Sequence, residues 1–151
     1  MTVHGMHREA TIEIQASPEA VYDLVSDLPR MGEWSPENIG GEWQGGGSGK
    51  VGDRFIGHNR AGERTWSAPV MVTQAERGRC FAFVIGPDDG PYVRWTYRLE
   101  ASGAGTRVTE IWDEGVSEVL ISSEMSHTNL YWARARWPAS VWICQQCARS
   151  S

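Results

Sequence analysis

The sequence predicts an α+β domain in which a curved antiparallel sheet of about six to seven strands wraps around one long C-terminal helix, with two short helices after strand 1. Three observations predict it. Between Gly52 and Trp112 four apolar-alternating runs follow one another, FIGHNRAGERTWSAPVMVTQ, CFAFVI, YVRWTYRLE and TRVTEIW, each closed by a Gly, Pro or Asp turn cluster. Ahead of them, between Ser17 and Leu28, the period is helical. Behind them, from Val116 to Ser151, no strand-like alternation remains, and Leu130, Ala133, Trp137, Val141 and Cys144 recur at helical spacing.

Each element has its own signal. His7 to Gln15 alternates around Ala10, Ile12 and Ile14, a first strand preceded by a frayed terminus over residues 1–7. Ser17, Pro18 and Glu19 then supply a hydroxyl cap, a proline suited to the first helical position and an acid in the first turn. Val21, Leu24, Val25 and Leu28 fall on one face of that helix until Pro29 stops or kinks it, and Met31 to Pro36 reads as a second short helix or turn. Ile39 to Trp43 suits a strand, and QGGGSG over Gln44 to Gly49 reads as a flexible loop. The meander is punctuated at Arg60 to Glu63, Glu76 to Arg79, Gly86 to Pro91 and Ala101 to Gly105.

A chain of 151 residues with 40% apolar content fits one domain, 1–151. The net charge of −5 and pI near 5.3, with no basic and aromatic interleaving, argue against nucleic acid as a partner. No stretch has the length of a membrane span and the polar N-terminus lacks a signal-peptide pattern, so stable membrane insertion is not expected and a cytoplasmic location is. Cys80, Cys144 and Cys147 are expected to be free thiols. The Cys144-Gln-Gln-Cys147 spacing lacks the strand and helix start of a redox motif and the second ligand pair of a zinc site. No metal, phosphate-loop or serine-hydrolase signature occurs, and no cofactor is implied.

Period two sorts the side chains that face inward if the strands curl. Val93, Trp95, Tyr97 and Leu99 share one face, as do Phe81 and Phe83. In TRVTEIW the face that carries Val108 and Trp112 also carries Glu110. A carboxylate among apolar neighbours has its pKa raised by desolvation and becomes a candidate acid or base; the alternative is a structural pair with a neighbouring Arg. For FIGHNR the two faces, Phe55, Gly57 and Asn59 against Ile56, His58 and Arg60, are not separable by pattern alone.

The stretches SPEAVYDLVSDLPRMGEWSPE, GDRFIGHNRAGERTW, FAF, WTYRLE and GTRVTEIW, in that order, resemble the START-like SRPBCC superfamily, in particular its polyketide cyclase/dehydrase and lipid-transport branch. The resemblance covers roughly Glu9 to Glu114. It implies a helix-grip fold with an apolar pocket between the long helix and the concave sheet, and it implies no universal catalytic set. It also selects Phe55, Asn59 and Trp66 as pocket residues, leaving His58 as a solvated strand residue or, less simply, a base. The pocket set is then Trp34, Phe55, Asn59, Trp66, Phe81, Phe83, Trp95, Tyr97 and Trp112. Trp34 reads equally as a lid or as core. The implied function is binding of a hydrophobic or aromatic small molecule, lipid or polyketide-like, as carrier or sensor. The alternative is a polyketide cyclase, aromatase or dehydratase with Glu110 as catalytic acid or base, and a third class is a regulatory partner acting through the QGGGSG loop.

The C-terminal segment over 117–151 departs from that pattern. It has no acid after Glu124, carries Trp132, Trp137 and Trp142, and is interrupted by Pro138. An interior proline costs a helix about 3 kcal/mol. The tail is expected to be divergent or read in an altered frame.

Overall fold

The computed structural model describes residues 7–33, 35, 38–88 and 93–114. The expectations for residues 1–6, for Trp34 and for the C-terminal helical segment lie outside these residues. A seven-stranded, curved antiparallel sheet dominates the described chain, in the order β1-β7-β6-β5-β4-β3-β2. Its strands are β1 (His7–Ile14), β2 (Asn38–Trp43), β3 (Arg54–Ala61), β4 (Arg64–Glu76), β5 (Cys80–Ile85), β6 (Val93–Ser102) and β7 (Gly105–Glu114). From β2 to β7 the sheet is a plain meander. β1 then pairs with β7, from His7 opposite Asp113 to Ile14 opposite Thr106.

The first helix, α1 (Pro18–Val25), begins as the sequence requires, with Pro18 at its start and Ser17 accepting from the Ala20 amide at 3.2 Å. It ends sooner than the apolar spacing predicts. Leu28 belongs instead to a separate 3-10 helix, Leu28–Glu33, because Ser26 closes α1 with backbone bonds to Leu24 and Tyr22. Val21, Tyr22 and Val25 are buried against the inner face of the sheet, in one cluster with Ile14, Leu28, Phe81, Leu99 and Val108. Each such side chain stabilises the fold by roughly 1.5–3 kcal/mol through the area it removes from water.

Two local features shape the inner face of the sheet. β5 is the middle strand, and both faces of Phe81–Val84 are buried, which explains why its sequence is a continuous apolar run. In β2 the register slips between Asn38 and Gly40, so Ile39 is an extra residue. Gly40 accommodates the bulge at φ 120°, a backbone region that disfavours side chains. Ile39 is pushed out to 55% exposure, and Asn38, 7% exposed, takes its place opposite Asn59.

Gln44 to Gly49 is a loop, but a pinned one. The Asp53 carboxylate accepts from the amides of Ser48, Gly49 and Lys50 at 2.8, 3.1 and 2.9 Å. No helix among the described residues is long and apolar enough to cross a membrane.

Candidate functional site: an apolar cavity on the inner face of the sheet

The inner faces of β3 to β7 surround a cavity of about 140 Å³. β3 contributes Phe55, Gly57 and Asn59, and β4 contributes Trp66, Ala68 and Val70. Phe83 and Ile85 come from β5, Val93, Trp95 and Tyr97 from β6, and Trp112 from β7. Leu28 and Met31 of the 3-10 helix add to the wall, with Ser35 and Asn38 beside them. The alternation of each strand generates this lining: Trp112 opposes Trp95, Trp95 opposes Phe83, and Asn59 opposes Trp66.

The face that pattern left open on β3 is resolved. Phe55, Gly57 and Asn59 turn inward, while His58 lies on the outer face, where its Nδ1 meets Ser67 Oγ at 2.8 Å and its Nε2 meets Glu42 Oε2 at 2.7 Å. Of the residues expected in the pocket, Phe55, Asn59, Trp66, Phe83, Trp95, Tyr97 and Trp112 stand in the wall. Phe81 does not appear among the lining residues. It shares its face with Phe83, but α1 covers that end of the sheet, and Tyr22 packs edge-on against Phe81 with ring centroids 5.9 Å apart. Trp34 lies outside the described residues.

Glu110 is fully buried on the inner face, opposite Tyr97 and Ala10, and is not among the lining residues. Its neighbour Tyr97 is 2% exposed. Burial pushes the Tyr97 hydroxyl well above its usual range, and the nearby charge of Glu110 adds to the effect. Tyr97 is therefore a neutral phenol at every physiological pH.

Among the described residues the polar side-chain atoms of the wall belong to Ser35, Asn38, Asn59, Tyr97 and the three tryptophans. Asn38 Oδ1 accepts from the Gly40 amide at 2.8 Å, so its Nδ2 is the group that donates to Asn59 Oδ1, at 3.4 Å. Ser35 Oγ accepts from the Asn38 amide at 3.3 Å. Trp112 is 1% exposed, and its Nε1 is buried without a hydrogen-bond partner among the described residues. An unmet buried donor of this kind costs on the order of 1–3 kcal/mol.

The cavity residues not anticipated were Leu28, Met31, Ser35, Asn38, Gly57, Ala68, Val70, Ile85 and Val93. Period two places most of them on the same faces as the aromatics that were chosen: Gly57 with Phe55 and Asn59, Ala68 and Val70 with Trp66, Ile85 with Phe83, Val93 with Trp95. Asn38 had no such signal, since the bulge brings it inward. Cys80, whose thiol is pushed up by burial, sits apart and donates to Gln74 Oε1 at 3.5 Å. Among the described residues no group of three or more His, Cys, Asp or Glu could hold a metal ion.

The described residues thus define a curved antiparallel sheet with an apolar cavity on its inner face. A family model described as polyketide cyclase/dehydrase and lipid transport matches residues 6–124, and the chain belongs to that family, within the START-like SRPBCC superfamily. A polyketide-cyclase-like protein of Corynebacterium glutamicum, solved by NMR in solution, is 36% identical over 75% of this chain and 68% of that one, with a TM-score of 0.55. Two more distant structures share the fold. The ginseng (Panax ginseng) major latex-like protein 151 is 13% identical with a TM-score of 0.65, covering 95% of this chain and 98% of that one. A protein of Nitrosomonas europaea is 8% identical with a TM-score of 0.69, covering 97% and 96%. No curated protein matches the sequence.

Proposed function

We propose that the chain binds a hydrophobic or aromatic small molecule inside the sheet, as a carrier or sensor. Membership of a family described by polyketide cyclisation and lipid transport supports the class of ligand. The observation that carries the reading is the composition of the wall among the described residues: three tryptophans, two phenylalanines, a tyrosine and aliphatic side chains, against the polar groups of Ser35, Asn38 and Asn59. Ligand sites have this character, apolar walls with a few placed polar groups that orient the guest. Filling the cavity removes apolar ligand surface from water at about 25 cal/mol per Å². A volume near 140 Å³ is of the size that holds a single aromatic ring.

The enzymatic reading rests on Glu110, a fully buried carboxylate beside a neutral tyrosine. It carries less, because Glu110 is not in the cavity wall and proton transfer at a carbonyl carbon needs a group within hydrogen-bond reach of the substrate. One experiment addresses both readings. Titration of the protein with single-ring and two-ring aromatics and with fatty acids should change the emission of Trp66, Trp95 and Trp112. Silence across the whole panel would sink the binding reading. If turnover of a polyketide-like ketone accompanies binding, Glu110→Gln should abolish turnover and spare binding; full turnover in that variant would leave the enzymatic reading without its residue.

A further inference from the structure

We infer that the cavity selects ligands that present a hydrogen-bond acceptor, a ketone, ester or lactone carbonyl on an apolar ring body, and that Trp112 Nε1 is the group that reads it. The inference rests on the cavity being a ligand site. It derives from the sign of the polar groups on the wall. Trp112 Nε1 is a donor only, and it is buried with no partner among the described residues. Asn38 has its amide orientation fixed by the Gly40 N–H on Oδ1, so it must offer Nδ2 to Asn59. Asn59 therefore accepts from Asn38 on Oδ1, and its own Nδ2 is a donor. Ser35 spends an oxygen lone pair on the Asn38 amide, and its hydroxyl proton remains.

Trp112 thus brings to the cavity a group that can only donate, and Ser35 and Asn59 can add donors beside it, while the Asn38 and Asn59 oxygens each already accept one bond and keep one lone pair. Such a wall discriminates by an asymmetry. A purely apolar guest excludes water and leaves the indole N–H unmet, an ammonium guest sets donor against donor, and a carbonyl oxygen completes the bond. An alcohol, which both donates and accepts, falls between. The device is local to this sequence: Trp112 faces inward because of its place in the alternation of β7, and the Asn pair exists because the bulge at Ile39 exchanges an isoleucine for an asparagine opposite Asn59.

The test uses matched pairs of equal shape. Calorimetric titration compares acetophenone with ethylbenzene and 2-acetonaphthone with 2-ethylnaphthalene, and ¹⁵N-resolved spectra follow the assigned Trp112 indole N–H. The ketone of at least one pair should bind more tightly by roughly fivefold, the value of one hydrogen bond. The Trp112 indole proton should move downfield with the ketone and not with the hydrocarbon. Trp112→Phe should bring the ratio of ketone to hydrocarbon affinity within each pair to near parity, whatever it does to the two affinities together. Equal binding within both pairs, with the indole resonance moving alike for both, would overturn the inference and leave the hydrophobic-pocket reading standing. A ketone preference that survives Trp112→Phe with no indole shift in the parent protein would remove Trp112 from the role. Binding of none of the four probes would overturn the inference, and the pocket reading falls with it only if the fatty acids and the other aromatics are silent as well. If Trp112→Phe fails to fold, the indole shift in the parent protein decides.

Discussion

Tyr97 and Glu110 oppose each other across β6 and β7, and both are removed from water. The phenol is held neutral first by desolvation and then by the carboxylate. Because its folded pKa lies above the unfolded value near 10, the native state retains a proton that the unfolded chain releases. The contribution to stability is full below about pH 10 and is lost as pH rises toward the folded value. In an alkaline titration followed by phenolate absorbance, Tyr97 should therefore ionise only in the step that unfolds the protein. Tyr97→Phe should shrink that late step and leave the earlier, reversible phase intact. Loss of amplitude from the early phase instead would mean that Tyr97 meets solvent. At this scale much of the site was legible. Alternation alone puts Glu110 on the face of Val108 and Trp112, and Tyr97 on that of Trp95. What alternation cannot say is how far along a face the cavity extends. Phe81 and Phe83 are equivalent in sequence, and only the docking of Tyr22 on Phe81 separates them.

Between single residues and the whole sheet stand the turns and bulges, and here the sequence speaks less clearly. QGGGSG reads as free loop because glycine and serine carry no order of their own. The order comes from Asp53, outside that string, whose carboxylate gathers three successive amides. Those amides, Ser48 first, depress the Asp53 pKa. A depressed carboxylate contributes stability above its unfolded pKa, about 3.9, and loses it as pH falls through the folded value. Asp53→Ala should expose the Ser48, Gly49 and Lys50 amides to hydrogen exchange. The hairpin itself should hold, since Gln44 N still bonds the Arg54 carbonyl at 2.8 Å and β2 still pairs with β3. Acidification of the parent protein to below the Asp53 pKa should reproduce the same loss at the same three amides. Unchanged protection in the variant would show that the backbone bonds alone order the loop. The bulge at Ile39 was equally hidden, since NIGGEW contains no feature that says which residue is extra. A local register slip is settled by the neighbouring strand, and it moves Asn38 from the outer to the inner face.

At the largest scale the described residues form one curved sheet with a cavity on its inner face. The meander from β3 to β7 follows directly from the four alternating runs, the first of which folds into both β3 and β4, whereas the return of β1 to β7 is a long-range pairing that local pattern does not encode. That pairing places β1 at the far edge, beside the strand that carries Trp112 and Glu110. The cavity exists only in the folded state, so a guest that occupies it stabilises that state by mass action, about 2.7 kcal/mol when present at about 100 times its Kd. For a domain of this size each kcal/mol moves Tm by roughly 2–4 °C, so saturating ligand should raise Tm by about 5–11 °C. Gly57 offers the control. It lies in the cavity wall, and a β-carbon there would meet Asn38 Nδ2 and Phe55 Cε1 at 3.6 Å and the Ala68 carbonyl at 3.9 Å, all ordinary contacts. Gly57→Ala should thus fold, gain about 0.4–1 kcal/mol by restricting the unfolded chain, and occupy space the ligand needs. Scanning calorimetry should find the ligand-free variant melting about 1–4 °C higher than the parent, and the ligand-induced increment smaller. An increment of unchanged size would mean that the ligand stabilises the protein from somewhere other than this cavity.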